Sequence, residues 1–280
     1  MNVLSIQGLC KTYPGFTLKD VSFNVKKGEI MGLIGRNGAG KTTTLKSLFN
    51  LVHPEAGDIR FFGESFRDRE LDIKRRVGFV SGGVDYYTKK PLKTVMEVTR
   101  RFYPGWDDDA CQRYTALFHL DERKTPGELS AGMRVKFALL LALSHRAELL
   151  VLDEPTSGLD PVSRDDLLDV FLGLADSGVS ILFSTHITSD LDRCADAVTY
   201  IQNGRVLASE DRRRFAARYL RVFLPALPEP GLRRGLIGLK RAKDGYTALV
   251  AAEDAGLGGM RTEPADLETI MIHLEKELEA

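Results

Sequence analysis

Leu33-Ile-Gly-Arg-Asn-Gly-Ala-Gly-Lys-Thr-Thr43 is the stretch from which the rest of this 280-residue chain is read. Its Gly35, Gly40, Lys41 and Thr42 match G-x-x-x-x-G-K-[ST] position for position. The apolar run Ile30–Ile34 before it predicts a buried strand, and Lys41–Asn50 after it has the composition of a helix. Strand, glycine-rich loop and helix together make a phosphate cradle. Backbone N–H groups of such a loop point inward at a β-phosphate, Lys41 reaches the β- and γ-phosphates, and the Thr42 hydroxyl can ligate Mg²⁺. A glycine-rich turn that binds nothing is the bland alternative, and the flanking strand and helix argue against it.

A second cluster points to hydrolysis. Leu149–Leu152 is a short continuous apolar run, readable as a strand buried on both faces, and it delivers Asp153 and Glu154 at its carboxyl end before Pro155 stops it. In phosphate-loop proteins this is the Walker B position. The Asp holds Mg²⁺ through its water shell, and a Glu beside it can accept a proton from the water attacking the γ-phosphate. Read alone, such a strand end is an ordinary solvated one. His186 follows another strand-like run, Val179–Thr185. In an open parallel sheet, ligands collect beyond the carboxyl ends of the strands, so Gly35–Thr42, Asp153, Glu154 and His186 are expected to converge on one crevice. His53, His119, His145 and His273 lack such context and read as structural residues.

Leu129-Ser-Ala-Gly-Met-Arg134 opens the apolar-periodic stretch Val135–Ser144, which predicts a helix. A small-residue turn at a helix N-terminus is an anion site, with Ser130 and free N–H groups able to hold a phosphate. By itself Ser130 is a helix N-cap. Its place before the Walker B strand changes that reading.

In this order, the segments from Val3 to about residue 210 resemble the nucleotide-binding subunit of ABC transporters. The resemblance makes Gly35, Arg36, Asn37, Gly38, Ala39, Gly40, Lys41, Thr42 and Thr43 the Walker A loop, and Leu129–Arg134 the signature. Leu149–Glu154 becomes Walker B, Ser157–Asp160 the D-loop and His186 the switch histidine. Tyr13 is similar to the aromatic that stacks on adenine, with a packing tyrosine of an edge strand as the rival reading. The implied machine is an ATPase with ATP and Mg²⁺ as ligands. Two subunits, identical or different, sandwich two ATP molecules head to tail, each between one subunit's Walker motifs and the other's Ser130 and Gly132. Catalysis would rest on Glu154 as base, Lys41 on phosphate charge and His186 at the γ-phosphate, with Thr42 and Asp153 serving the metal.

Two departures stand out. The family's usual signature is Leu-Ser-Gly-Gly-Gln, whereas Ala131 and Met133 replace the first glycine and the glutamine here. If position 131 needs φ > 0, Ala adds about 1 kcal/mol of strain; if φ is negative, nothing is lost. After strand Val77–Val80 the family places a glutamine reaching Mg²⁺ and the attacking water, but this chain reads Ser81-Gly82-Gly83-Val84-Asp85. The Met-bearing signature and Phe102-Tyr-Pro-Gly-Trp-Asp107 resemble a group of bacterial exporter-type ATPases.

Composition agrees with these expectations and excludes rivals. Lys and Arg number 39, as do Asp and Glu, so no basic field favours nucleic acid. No run approaches the roughly 18 apolar residues that span a bilayer, and no signal segment opens the chain. A cytosolic protein is expected, bound to the cytoplasmic face of the membrane through an integral permease subunit. Permease docking falls to the stretch after Val80, with a groove beside Tyr86, Tyr87 and Phe102 as candidate. Cys10, Cys111 and Cys194 have wide, unrelated spacing and read as reduced, packed thiols. The expected fold is α/β: a phosphate-loop NTPase core with an antiparallel β-subdomain, a helical signature subdomain over about 81–148, and a small α+β appendage. The ATPase domain takes 1–210 and the appendage 211–280. Asp107–Asp109 reads as an acidic first helix turn. Arg212–Arg214, Arg218 and Arg221 read as one helix face, solvated or lying on a membrane. Pro225, Pro228 and Pro230 mark a boundary, and a closing helix starts at about Ala265. Two other functions remain open: a soluble ABC ATPase acting on a non-transport partner, and a nucleotide-gated switch with little hydrolysis.

Overall fold

A computed structural model of the chain describes residues 1–81, 87–229, 233, 235–254 and 261–277. The first elements are a long hairpin, β1 (Asn2–Tyr13) and β2 (Phe16–Lys26), then β3 (Ile30–Ile34) and α1 (Lys41–Leu48). They are followed by β4 (Ala56–Phe61), β5 (Glu64–Ser65), α2 (Phe66–Arg76) and β6 (Val77–Ser81). Strands β4 and β5 extend the hairpin into an antiparallel sheet of order β2-β1-β4-β5. Along β2, Leu18, Val21, Phe23 and Val25 are buried while most of their neighbours face solvent, the alternation of a half-covered sheet.

Helices α3 (Leu92–Arg100), α4 (Asp108–Leu117) and α5 (Ala131–Ser144) come next. The chain then returns with β7 (Leu149–Asp153), α6 (Pro161–Asp176), β8 (Ser180–Thr185), α7 (Thr188–Cys194), β9 (Ala197–Gln202) and β10 (Arg205–Asp211). The central sheet runs β10-β9-β3-β8-β7-β6, parallel except for β10. Every residue of β3, β7, β8 and β9 is buried, because both faces of this sheet are covered. Ile30, Ile34, Leu150, Leu152, Ile181 and Phe183 face the core shared with α5 and α6. Their neighbours Met31, Leu33, Leu149, Val151 and Leu182 face the core shared with the hairpin sheet and α1. The two-residue period of a strand thus splits three short apolar runs between two cores.

The three aspartates at 107–109 open α4: Asp107 caps it, accepting from the Ala110 N–H at 2.9 Å, and the other two occupy its first turn. Among the described residues no carboxylate, His or Cys cluster could hold a metal ion, and all three cysteines are free thiols.

Beyond β10, α8 spans only Arg212–Ala216. The single arginine-bearing helix expected over 212–221 is therefore wrong: Arg218 lies in a turn and Arg221 on β11 (Tyr219–Leu224), paired with Glu263. Tyr-Leu-Arg-Val-Phe-Leu is rich in β-branched and aromatic residues, and its pairing on both sides outweighs the helical charge pattern. With β12 (Ile237–Ala242), β13 (Gly245–Ala251) and β14 (Arg261–Pro264) it forms an antiparallel sheet of order β12-β13-β11-β14. The closing helix α9 (Leu267–Glu277) packs on β12 and against α7 of the core. Pro230 lies outside the described residues.

Candidate nucleotide site

The phosphate loop is shaped by positions that only glycine fills. Gly35, Gly38 and Gly40 have φ of 156°, 83° and 113°. A Cβ on Gly35 would lie 2.2 Å from the Ile201 carbonyl oxygen, and one on Gly40 would lie 2.8 Å from Leu18. The loop therefore rests directly on β9 and β2. No side chain caps the start of α1, which leaves its first-turn N–H groups directed at the loop's interior.

Lys41 is buried, and its Nζ donates to the carbonyls of Gly35 at 2.9 Å and Arg36 at 3.3 Å. Its charge is met by Glu154 Oε1 at 3.2 Å. The other Glu154 oxygen, Oε2, lies 2.8 Å from His186 Nδ1. Thr42 Oγ1 donates to Asp153 Oδ1 at 3.1 Å. Ser184 Oγ donates to the same Asp153 oxygen at 2.7 Å and accepts from the Glu154 N–H at 2.9 Å. Parallel register explains the meeting: Asp153 stands opposite Ser184 in β7–β8, and Ile34 opposite Thr185 in β3–β8, so three strands end side by side. Glu154 itself sits at φ 51°, in the left-handed region that a non-glycine residue occupies only when its surroundings demand it.

A cleft of about 640 Å³ opens over these groups, lined by Arg36–Gly38, Gly40–Thr43, Glu154 and His186, and also by Gly15, Phe16 and Ser157. Tyr13 pairs with Phe16 across the hairpin turn and stands exposed under Lys11, 5.6 Å from its ring centroid. Phe16, not Tyr13, is the aromatic of the cleft wall. Sequence reading passed over Phe16 and Ser184; the one signal for Ser184 was its place two residues before His186 in a core strand.

The loop after Glu154 is anchored from below. Thr156 Oγ1 donates to the fully buried Asp190 Oδ2 at 2.6 Å, and Arg164 Nε lies 3.2 Å from Asp190 Oδ1. Burial pushes the Asp190 carboxyl above the usual carboxylate range, opposed by Thr156 and Arg164. Because Asp190 belongs to α7, directly after His186, this bond ties the Glu154 side of the cleft to the His186 side.

Ser130 and Gly132 do not line the cleft. Ser130 caps α5, accepting from the Met133 N–H at 3.3 Å, and is exposed. Ala131 lies in the helix and is not among the residues with positive φ, so the alanine that replaces the family's glycine adds no backbone strain. A Cβ on Gly132 would meet Leu159 at an ordinary 3.5 Å. The Gly82–Asp85 segment, where the family's glutamine is missing, and Tyr86 of the docking groove lie outside the described residues. Tyr87 and Phe102 are both exposed.

The donor set fits Mg²⁺: a hydroxyl and a carboxylate oxygen, Thr42 Oγ1 and Asp153 Oδ1, already face one another at the loop's end. No helix among the described residues is long and apolar enough to cross a membrane.

Residues 18–157 match the ABC transporter family model. The chain is 28% identical to the ABC transporter ATP-binding protein YtrB of Bacillus subtilis, over 90% of this chain and 88% of that protein. It is 40% identical to the Nod factor export ATP-binding protein I of Burkholderia orbicola, over 67% of this chain and 64% of that one. Among solved structures, the ATP-binding subunit of an ABC transporter superposes with a TM-score of 0.68 at 30% identity, over 76% of this chain and 93% of that one. The family match and these likenesses make the chain a member of the ABC transporter family, with the fold of its ATP-binding cassette.

Proposed function

We propose that this chain is a Mg²⁺-dependent ATPase subunit that dimerises on ATP and powers a separate membrane permease, in the export direction. The reading is carried by one observation: Lys41, Thr42, Asp153, Glu154 and His186, drawn from three strand ends, meet within hydrogen-bonding or ion-pair distance in one cleft. Export is supported by the signature with Met133 and by the likeness to a Nod factor export protein.

Each residue's part follows from its position. Loop N–H groups and Lys41 bind the β- and γ-phosphates, which draw the Lys41 ammonium from Glu154. Thr42 and Asp153 hold Mg²⁺, which supplies charge neutralisation at the phosphate oxygens. Released from Lys41, Glu154 accepts the proton of the attacking water. His186 orients that carboxylate through Nδ1 and presents its other ring nitrogen to the γ-phosphate side. Ser130, exposed at the start of α5, and Gly132, which does not line its own chain's cleft, serve the partner's ATP. Without a membrane-crossing helix among its described residues, the chain reaches the membrane through its permease.

A second reading, a nucleotide-gated switch with little hydrolysis, is favoured by the absence of glutamine from Ser81–Asp85. Steady-state phosphate release from Mg·ATP by the purified full chain, alone and with detergent-solubilised membranes, tests both. Turnover that Glu154→Gln removes supports the ATPase, and ATP binding with no turnover under either condition supports the switch.

A further inference from the structure

The appendage reaches into the phosphate loop. Glu275, on the last turns of α9, is nearly buried, accepts a hydrogen bond from Tyr200 Oη at 2.7 Å and has an oxygen 3.8 Å from Arg36 Nη1. Arg36 is a loop residue that lines the nucleotide cleft. Tyr200 stands beside Ile34 in the β3–β9 ladder, immediately before the loop begins, and is fully buried. Gln202 Nε2 adds a bond to the Leu274 carbonyl at 3.3 Å. The turn after β9 also supports the loop directly, since the Gly204 N–H donates to the Ala39 carbonyl at 3.0 Å. The Tyr200 hydroxyl is pushed far above its usual range, by burial first and by its bond to Glu275 next, so this hydroxyl keeps its proton and donates it to the bond.

We propose that Glu275 is a positioning residue that draws the Arg36 guanidinium toward the appendage and so weakens the pull of the cleft on a triphosphate. This rests on the reading of the cleft as an ATP site. Arg36 is half exposed and its arm is long, so the anion beside it decides where its charge spends its time. A bound triphosphate and Glu275 compete for the same cation, and movement of α9 against the core then tunes nucleotide affinity from outside the catalytic residues.

The test uses the full chain, with calorimetry for ATP, ADP and adenosine and a thermal-unfolding control. Glu275→Gln keeps an acceptor for Tyr200 and removes the charge; it is expected to tighten ATP binding about five-fold, ADP less, and adenosine not at all. In an Arg36→Gln background the same change should have no effect on ATP, because nearby groups that act on each other are non-additive. If Glu275→Gln fails to fold, Glu275→Asp, which withdraws the carboxylate by one methylene, is expected to shift ATP affinity in the same direction. Unchanged or weakened ATP affinity in the folded variant, or a gain that persists without Arg36, overturns the proposal and leaves the ATP site standing. Failure of the parent chain to bind ATP overturns both.

Discussion

His186 Nδ1 and Glu154 Oε2 lie 2.8 Å apart, although the residues are 32 positions apart in sequence and come from different strand ends. The bond holds the carboxylate pointing over the phosphate loop. Replacing Glu154 by Gln keeps the shape and the contact to His186 but removes the base. Hydrolysis should fall by about 10²–10⁴-fold, the usual worth of a positioned general base, with ATP binding retained. An ATP-bound dimer should accumulate in size-exclusion runs. Hydrolysis at the parental rate would exclude Glu154 as the base.

Lys41 is the buried cation of the loop, and Lys41→Ala removes both its carbonyl bonds and its pairing with Glu154. Loss of a charge-assisted contact to phosphate is worth about 3 kcal/mol, so ATP affinity should drop roughly 100-fold in calorimetry. Unaltered affinity would mean that the nucleotide sits elsewhere.

Gly132 separates fold from partnership. Inside this chain its Cβ has room, and alanine is the better helix former by up to about 1 kcal/mol, so Gly132→Ala should unfold no earlier than the parent. Its ATPase activity should nevertheless fall, because the added methyl rests on Leu159 and Ser163 of its own chain and props the turn that must close on the partner's phosphates. Mixing Ser130→Arg with Lys41→Ala protomers should restore partial activity, since one composite site then stays intact. No recovery in a demonstrated mixed dimer would sink the shared site.

Ala131 carries no positive φ, so restoring the family's glycine relieves nothing. Ala131→Gly should leave turnover unchanged or slightly lower, and should not raise the unfolding temperature. A several-fold gain in activity would show that the alanine is a catalytic handicap after all.

His145 and His273 are both buried with Nδ1 against a backbone carbonyl, Arg75 at 3.1 Å and Gly238 at 2.6 Å. Burial is the largest influence on each and lowers both below the usual histidine value, more than the carbonyls raise them. The unfolded chain therefore takes up protons near pH 6.5 while the folded chain does not. The stability they contribute is complete above that pH and is lost as pH falls through the folded values, by up to about 1.4 kcal/mol per unit for each group. Urea midpoints at pH 7.5 and 5.5 should differ accordingly. His145→Phe, which keeps the stack on Tyr103, should flatten the slope; an unchanged slope would remove His145 as a source.

Local chemistry made much of this chain legible from its residues alone. A phosphate cradle needs glycine at fixed offsets and a lysine at a helix start, so Gly35–Thr43 reads as one without coordinates. Buried parallel strands are short apolar runs, so Ile30–Ile34 and Leu149–Leu152 announce themselves, and Asp153 and Glu154 stand at the carboxyl end of the second. What a sequence does not carry is distance between elements. Tertiary structure alone decided that Ser184 holds the Asp153 carboxylate and the Glu154 backbone N–H, that Phe16 rather than Tyr13 lines the cleft, and that position 131 is helical. It also turned Arg221 from a presumed helix face into a strand, because pairing with β13 and β14 is a non-local gain that outweighs local charge spacing. The contact of Glu275 with Arg36, 239 residues apart, had no local signal at all: it exists only because α9 packs beside the end of β9.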